Sequence, residues 1–185
     1  MSKKNEADHE NPEITDPGHR RLGKDEYFME IARIVAKRST CLRRDVGAVL
    51  VKESHIISTG YNGTPAGMSH CTPDTCVRKK LNIPSGKDPH LCRAVHAELN
   101  CIIQAARHGT SIEGDTTMYV TAFPCIDCTK ILINAGIRRI VYLGEYDSSN
   151  EVRNALIAES GIKLEKYAPS EQKHQDALGM GGEHV

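Results

Sequence analysis

Apolar residues are sparse at the start of the chain and then become periodic. Residues 1–22 are polar, with Pro12, Pro17 and Gly18 among them, and predict a disordered tail. From Lys24 onward Tyr27, Phe28, Ile31, Ile34 and Val35 recur at three- and four-residue steps, the period of a helix. The apolar run 46–51 and the segment 55–60, joined by a charged turn, read as a hairpin. Residues 61–93 hold several Gly and Pro and keep no period. A loop this long inside a compact domain is usually functional. The segment 96–108 predicts a helix stopped by Gly109, with Leu99, Ile102, Ile103 and Ala106 facing the core. Strand 117–121, helix 125–135 ending at Gly136, strand 138–143, helix 149–160 ending at Gly161 and strand 162–165 follow. Strands and helices alternate after the opening hairpin, so the class is α/β. The expected organisation is a tail 1–22, a domain 23–167 and a loose tail 168–185.

The composition narrows the function. The 185 residues fit one domain, and with no Trp and two Phe its core must be built from Ile, Val, Leu and Ala. Lys plus Arg is 24 and Asp plus Glu is 24. A balance of zero gives no whole-surface attraction for nucleic acid or an anionic membrane, so neither is an expected partner. No stretch approaches 18 apolar residues and the N-terminal residues lead into no hydrophobic run; a cytoplasmic protein is expected. Seven cysteines, an odd number, argue against a fully paired disulfide framework. In a reducing compartment, clustered Cys are metal ligands or catalytic groups more often than disulfides.

The strongest chemical signal is His96-Ala97-Glu98 with Pro124-Cys125-Ile126-Asp127-Cys128. His96, Cys125 and Cys128 suit Zn²⁺, and three protein ligands leave one tetrahedral position open, the layout of a catalytic site. Both segments begin helices, whose N-terminal partial charge stabilises thiolates. Glu98 stands two residues past the His, where it can enter the site without binding metal, the place for a proton shuttle. A CxxC alone could be a redox pair or half of a structural site. The combination matches the H-x-E…P-C-x-x-C signature of zinc nucleobase deaminases.

The match extends beyond the signature. Val46-Gly47-Ala48-Val49, Gly60-Tyr61-Asn62-Gly63-Thr64-Pro65, His96-Ala97-Glu98-Leu99-Asn100, Ile112-Glu113-Gly114, Met118-Tyr119-Val120-Thr121, Phe123-Pro124-Cys125-Ile126-Asp127-Cys128 and Ala135-Gly136-Ile137 occur in that order. With them the run 39–146 resembles the deoxycytidylate (dCMP) deaminases of the zinc-dependent cytidine/deoxycytidylate deaminase family. Cys101 departs from the Ala often found there, and both are small and compatible with a core. The resemblance implies a cytidine-deaminase-like three-layer α/β/α fold with a mixed, roughly five-stranded sheet, and a homo-oligomer, a hexamer or another number. It implies hydrolytic deamination of dCMP to dUMP and ammonia, supplying dUMP for dTMP synthesis, with Glu98 as catalytic proton carrier and zinc-activated water as nucleophile. Ser39 and Arg43, four residues apart, could share one face near the end of the first helix, and by the resemblance they would hold phosphate and sugar together with Asn62 and Tyr146. The Gly-Tyr-Asn-Gly region would serve regulation by dCTP and dTTP, with Mg²⁺ accompanying the effector.

A second constellation lies upstream. Cys41, His70, Cys71, Cys76 and Cys92 are all good zinc ligands. The preferred set for a closed structural Zn²⁺ is Cys41, Cys71, Cys76 and Cys92, with His70 as alternate. Cys101 is assigned to the core. Two other functions compete. A tRNA adenosine deaminase shares the zinc signature but should need a broad basic face. A non-catalytic zinc-stabilised binding module would have no need for Glu98.

Overall fold

The computed structural model describes residues 21–84, 87–144 and 150–169. The element order is α1 (Lys24–Ala36), β1 (Gly47–Lys52), β2 (His55–Tyr61), α2 (Val77–Lys80), a 3₁₀ turn at Pro89–Leu91, α3 (Ala97–Arg107), β3 (Thr116–Ala122), α4 (Ile126–Asn134), β4 (Arg139–Gly144), α5 (Glu151–Ser160) and β5 (Lys163–Lys166). The strands form one five-stranded sheet in the order β2-β1-β3-β4-β5. β1 runs antiparallel to both β2 and β3, whereas β3, β4 and β5 are mutually parallel. This is the mixed sheet expected from the sequence.

Side chains on successive strand residues point to opposite faces, and the two cores follow that alternation. Ala48, Leu50, Met118, Val120 and Ile140 meet Ala97, Cys101 and Ala105 of α3 and Leu132 of α4. Val49, Val51, Tyr119 and Val141 meet Phe28, Met29 and Ala32 of α1 on the other side. The result is three layers, with β1 buried on both faces. That explains why its sequence is a continuous apolar run rather than an alternating one. Each such large side chain removed from water contributes about 1.5–3 kcal/mol.

Two glycines let the helices sit in backbone contact with the sheet. A Cβ at Gly60 would lie 2.3 Å from the Ala97 carbonyl oxygen and 2.4 Å from the Cys101 nitrogen. One at Gly47 would lie 2.2 Å from the Ala32 carbonyl oxygen. Ser58 Oγ donates to the Cys101 carbonyl at 2.6 Å, pinning α3 at the same place. This close approach corrects the expected core face of α3. Ala97, Glu98, Cys101 and Ala105 are buried, while Ile103 is 38% exposed, Ala106 is exposed and Leu99 and Ile102 are only partly buried. Only small side chains fit between a helix and a sheet that nearly touch, so the larger apolar residues turn sideways. Cys101 is a core residue, as expected, and burial pushes its thiol up to about 12.

Two further expectations change. The 61–93 segment is not wholly loop, because it carries α2 and the 3₁₀ turn. Helix α1 ends at Ala36, so Ser39 and Arg43 share no helix face and lie in the connection to β1.

The start of α1 is tied across three strands. Arg139 donates to Asp25 Oδ1 and Oδ2 at 2.8 and 2.7 Å and to Glu165, and Tyr119 Oη donates to Asp25 at 2.7 Å. Hydrogen bonds from Arg139 hold the Asp25 carboxyl below its usual value, and Lys163 with Arg139 does the same for Glu165. Depressed carboxyl values stabilise the fold above the ordinary carboxylate range and cease to do so as pH falls through the folded values.

Two outcomes are expected. Gly60→Ala should lower stability by about 1–3 kcal/mol or more, because the methyl group meets backbone; an unchanged urea midpoint would show that α3 yields freely. Arg139→Met should cost about 1–2 kcal/mol at pH 7, a charged hydrogen-bond cluster discounted for Asp25 exposure. Urea titrations from pH 7 downward should show the gap between the two proteins closing below roughly pH 4.

Candidate active site and metal centre

The parallel strand β3 ends at Ala122 and the chain passes through Phe123 and Pro124 into α4. The carboxyl edge of parallel strands is where α/β proteins place their ligands. Cys125 caps α4 in extended backbone conformation, and its sulfur accepts the Cys128 N–H at 3.5 Å. His96 stands at the N-cap of α3 in the same extended conformation, without a side-chain capping bond, so two helix N-termini face one point. His96 Nδ1 lies 3.3 Å from Cys125 Sγ and 3.4 Å from Cys128 Sγ, and all three ligand atoms lie within 4.8 Å of one another. A tetrahedral Zn²⁺ with N and S ligands at roughly 2.0–2.1 and 2.3 Å requires N···S separations of about 3.6 Å. The donor set suits Zn²⁺, and both N···S spacings match it to within a few tenths of an ångström.

The electrostatics agree with that fit. A hydrogen bond from the Cys128 thiol, aided by His96, holds the Cys125 thiol down to about 4. The same bond raises Cys128. The surroundings thus favour the thiolate at Cys125, the form that binds a cation. His96 is raised, chiefly by its bond to Cys125. Glu98, in the first turn of α3, is 4% exposed, and burial pushes its carboxyl up. A carboxyl moved toward neutrality can both accept and return a proton.

These groups open on a cavity with about 930 Å³ of empty space, part of it continuous with solvent. His96, Glu98, Cys125, Phe123 and Asn62 line it, together with Arg43, Arg44, Arg78 and Arg93. Phe123 is 8% exposed, and the fully buried Arg153 of α5 places its guanidinium 4.2 Å from the ring centroid.

The other sequence-derived residues divide. Asn62 lines the cavity, but its side chain is also a brace: Oδ1 accepts the Val46 N–H at 2.9 Å and Nδ2 donates to the Arg44 carbonyl at 2.8 Å. Ser39 stands outside the lining, with its hydroxyl donating to the Asn62 carbonyl at 3.1 Å and accepting the Cys41 N–H. Arg43 lines the cavity and is exposed. Tyr146 lies outside the described residues. Cys41, Cys71, Cys76 and Cys92 all reach the same cavity, and His70 does not. Burial and then the charges of the other three cysteines raise Cys71. Among the described residues, however, only His96, Cys125 and Cys128 close to metal-ligand spacing. Sequence reasoning passed over Arg78 and Arg93. The available signal for Arg93 was its place between two candidate ligands, Cys92 and His96.

Comparison with known proteins places this geometry. The profile of the cytidine and deoxycytidylate deaminase zinc-binding region matches residues 22–144. A deoxycytidylate deaminase of Schizosaccharomyces pombe is 35% identical over 159 residues, 86% of this chain and 48% of that protein. The chain thus spans about half the length of that relative. The human deoxycytidylate deaminase is 36% identical over 150 residues, covering 78% of this chain and 79% of its own. The crystal structure of a dCMP deaminase from cyanophage S-TIM5, in complex with dCMP and dUMP, superposes with a TM-score of 0.64 at 28% identity, over 80% of this chain and 100% of that one. With a family profile across most of the chain, and His96, Cys125 and Cys128 gathered at zinc-ligand spacing beside a buried Glu98, the chain belongs to the zinc-dependent cytidine and deoxycytidylate deaminase family.

Proposed function

We propose that this chain hydrolyses dCMP to dUMP and ammonia. The observation that carries the reading is the pairing of a buried carboxyl, Glu98, with a ligand set that leaves one coordination position unfilled by protein. A binding module stabilised by zinc gains nothing from burying an ionisable group there, because burial disfavours its charged form. A zinc ion held by His96, Cys125 and Cys128 would supply a nucleophilic water near neutral pH. Glu98 then has a defined task. It takes a proton from the attacking water and delivers it to ring N3 as C4 of the cytosine is attacked, then takes the remaining hydroxyl proton and passes it to the amino group, which leaves as ammonia. Its raised carboxyl value suits both directions of transfer. The formal charge of zero disfavours a tRNA substrate, and four arginines around the cavity favour a small anionic one.

We further assign a closed structural zinc to Cys41, Cys71, Cys76 and Cys92. Their shared place in the lining of one cavity supports this, as does the scarcity of buried apolar residues in the 61–93 segment to order it otherwise. Their thiols stand wider apart than the catalytic set, so metal would draw them together.

Ammonia release from dCMP, cytidine and adenosine-containing tRNA is the direct test, with turnover expected for dCMP alone. Glu98→Gln should retain zinc and lose at least about 10²–10⁴-fold in rate; a zinc-replete mutant with near-wild-type turnover would sink the mechanism. Metal analysis of the purified protein should find about two zinc ions per chain, falling to about one in Cys76→Ser. A stoichiometry of about one in the active wild type would return the upstream cysteines to the status of free thiols.

A further inference from the structure

Arg153 is a buried cation that the deamination chemistry does not use. It is 2% exposed, and it sits in the first turn of α5, where the helix dipole disfavours positive charge. A guanidinium placed there is costly on both counts, so the groups around it have to compensate. The Asn150 side chain caps α5 by accepting the Arg153 N–H at 2.9 Å, which fixes the backbone from which the side chain leaves. One edge of the guanidinium donates to Asn154 Oδ1, from Nε at 3.4 Å and from Nη2 at 3.3 Å. Its Cζ lies over the Phe123 ring, 4.2 Å from the centroid and within cation–π range. Phe123 is held from β4 as well. Its N–H donates to the Gly144 carbonyl at 2.8 Å, and its ring meets that of Tyr142 edge to face at 4.7 Å. Phe123 lines the catalytic cavity and precedes Cys125 by two residues. Strand β4 thus fixes the backbone and one side of this wall residue, and α5 supplies the cation that rests against the ring.

We propose that Arg153 is a positioning residue for the catalytic cavity: through the Phe123 ring it holds the wall beside the metal centre in the orientation that binds the nucleotide. The inference rests on the nucleotide-deaminase reading above for the identity of the ligand. Arg153 stands behind the lining of the cavity rather than in it, so its effect on binding passes through the ring. A ring already held in place costs a ligand less to bind against than one the ligand must itself immobilise. The loss on removing the cation is therefore bounded by the cation–π contact, about 3- to 30-fold in affinity. Lys keeps the charge but not the flat guanidinium that lies along the ring, so it replaces Arg only in part.

Calorimetric titration of the zinc-loaded protein with dUMP tests this without turnover, with zinc content and the urea midpoint measured on every variant. Arg153→Met should keep its zinc and weaken dUMP by about 3- to 30-fold. Arg153→Lys should recover part of that loss. Phe123→Leu should weaken dUMP at least as much as Arg153→Met. Adding Arg153→Met to Phe123→Leu should then cost no further affinity, because the cation acts only through the ring. Wild-type affinity in a folded, zinc-replete Arg153→Met overturns the assignment, and so does a double variant that loses the sum of the two single losses. If Arg153→Met and Arg153→Lys both lose zinc, Arg153 supports the metal centre rather than the wall, and the assignment is likewise overturned. Should Arg153→Met or Phe123→Leu not fold, Arg153→Lys decides: weakened dUMP binding with zinc retained upholds the assignment, and unchanged binding overturns it. A wild type that binds dUMP through Arg153 in this way yet releases no ammonia from dCMP would uphold this inference and reject the deaminase reading. Ammonia release from dCMP together with an unaffected Arg153→Met would do the reverse.

Discussion

The site depends on how closely α3 lies against the sheet. Gly60 removes the side chain that would hold the helix away, Ser58 anchors a helix carbonyl, and Ala97, Cys101 and Ala105 present a face small enough to nest there. The N-terminus of α3 is thereby fixed in height above the strand edge, with His96 as its cap and Glu98 in its first turn. The other half of the site is fixed independently by the β3–α4 connection, which delivers Cys125 and Cys128. Two rigid elements, each set by backbone packing, bring three ligands to within 4.8 Å. Precision of that kind is easier to hold on helix ends than on free loops.

Electrostatics then divide the labour among neighbours that look alike in sequence. Cys125 and Cys128 are both cysteines of one motif, yet their mutual hydrogen bond pushes one down and the other up. Glu98 lies near enough to the sulfurs to feel them, but burial dominates and raises it. Cys101, one helical turn further along α3, is raised chiefly by burial to a value at which it stays a thiol. Environment rather than residue type separates the paired cysteines of the metal centre, the buried carboxyl beside them and the thiol in the core.

Much of this could be read from the chain. The alternation of apolar runs gave the order of strands and helices, because β1 and the parallel strands are buried deeply enough to leave an apolar signature. The two ligand motifs were legible because metal chemistry restricts residue type and spacing at once. The face of α3 was not legible. Period alone favoured Leu99, Ile102, Ile103 and Ala106, whereas the selecting factor was a glycine 37 positions earlier on a different element. The role of Ser39 was also out of reach, since its partners, the Asn62 carbonyl and the Cys41 N–H, are backbone groups that carry no residue signal.

Arg153 beneath Phe123 has a consequence for how the pocket can change. The guanidinium is buried at 2% exposure, and one of its neighbours is the aromatic face of a cavity-lining residue. Trimming Phe123 to widen the cavity would strip a desolvated cation of that face, a loss felt as instability before any gain in room. The wall and its backing must therefore vary together. Enlargement of this cavity should find its first viable route through paired substitutions at 123 and 153, with single changes at 123 confined to other aromatic residues.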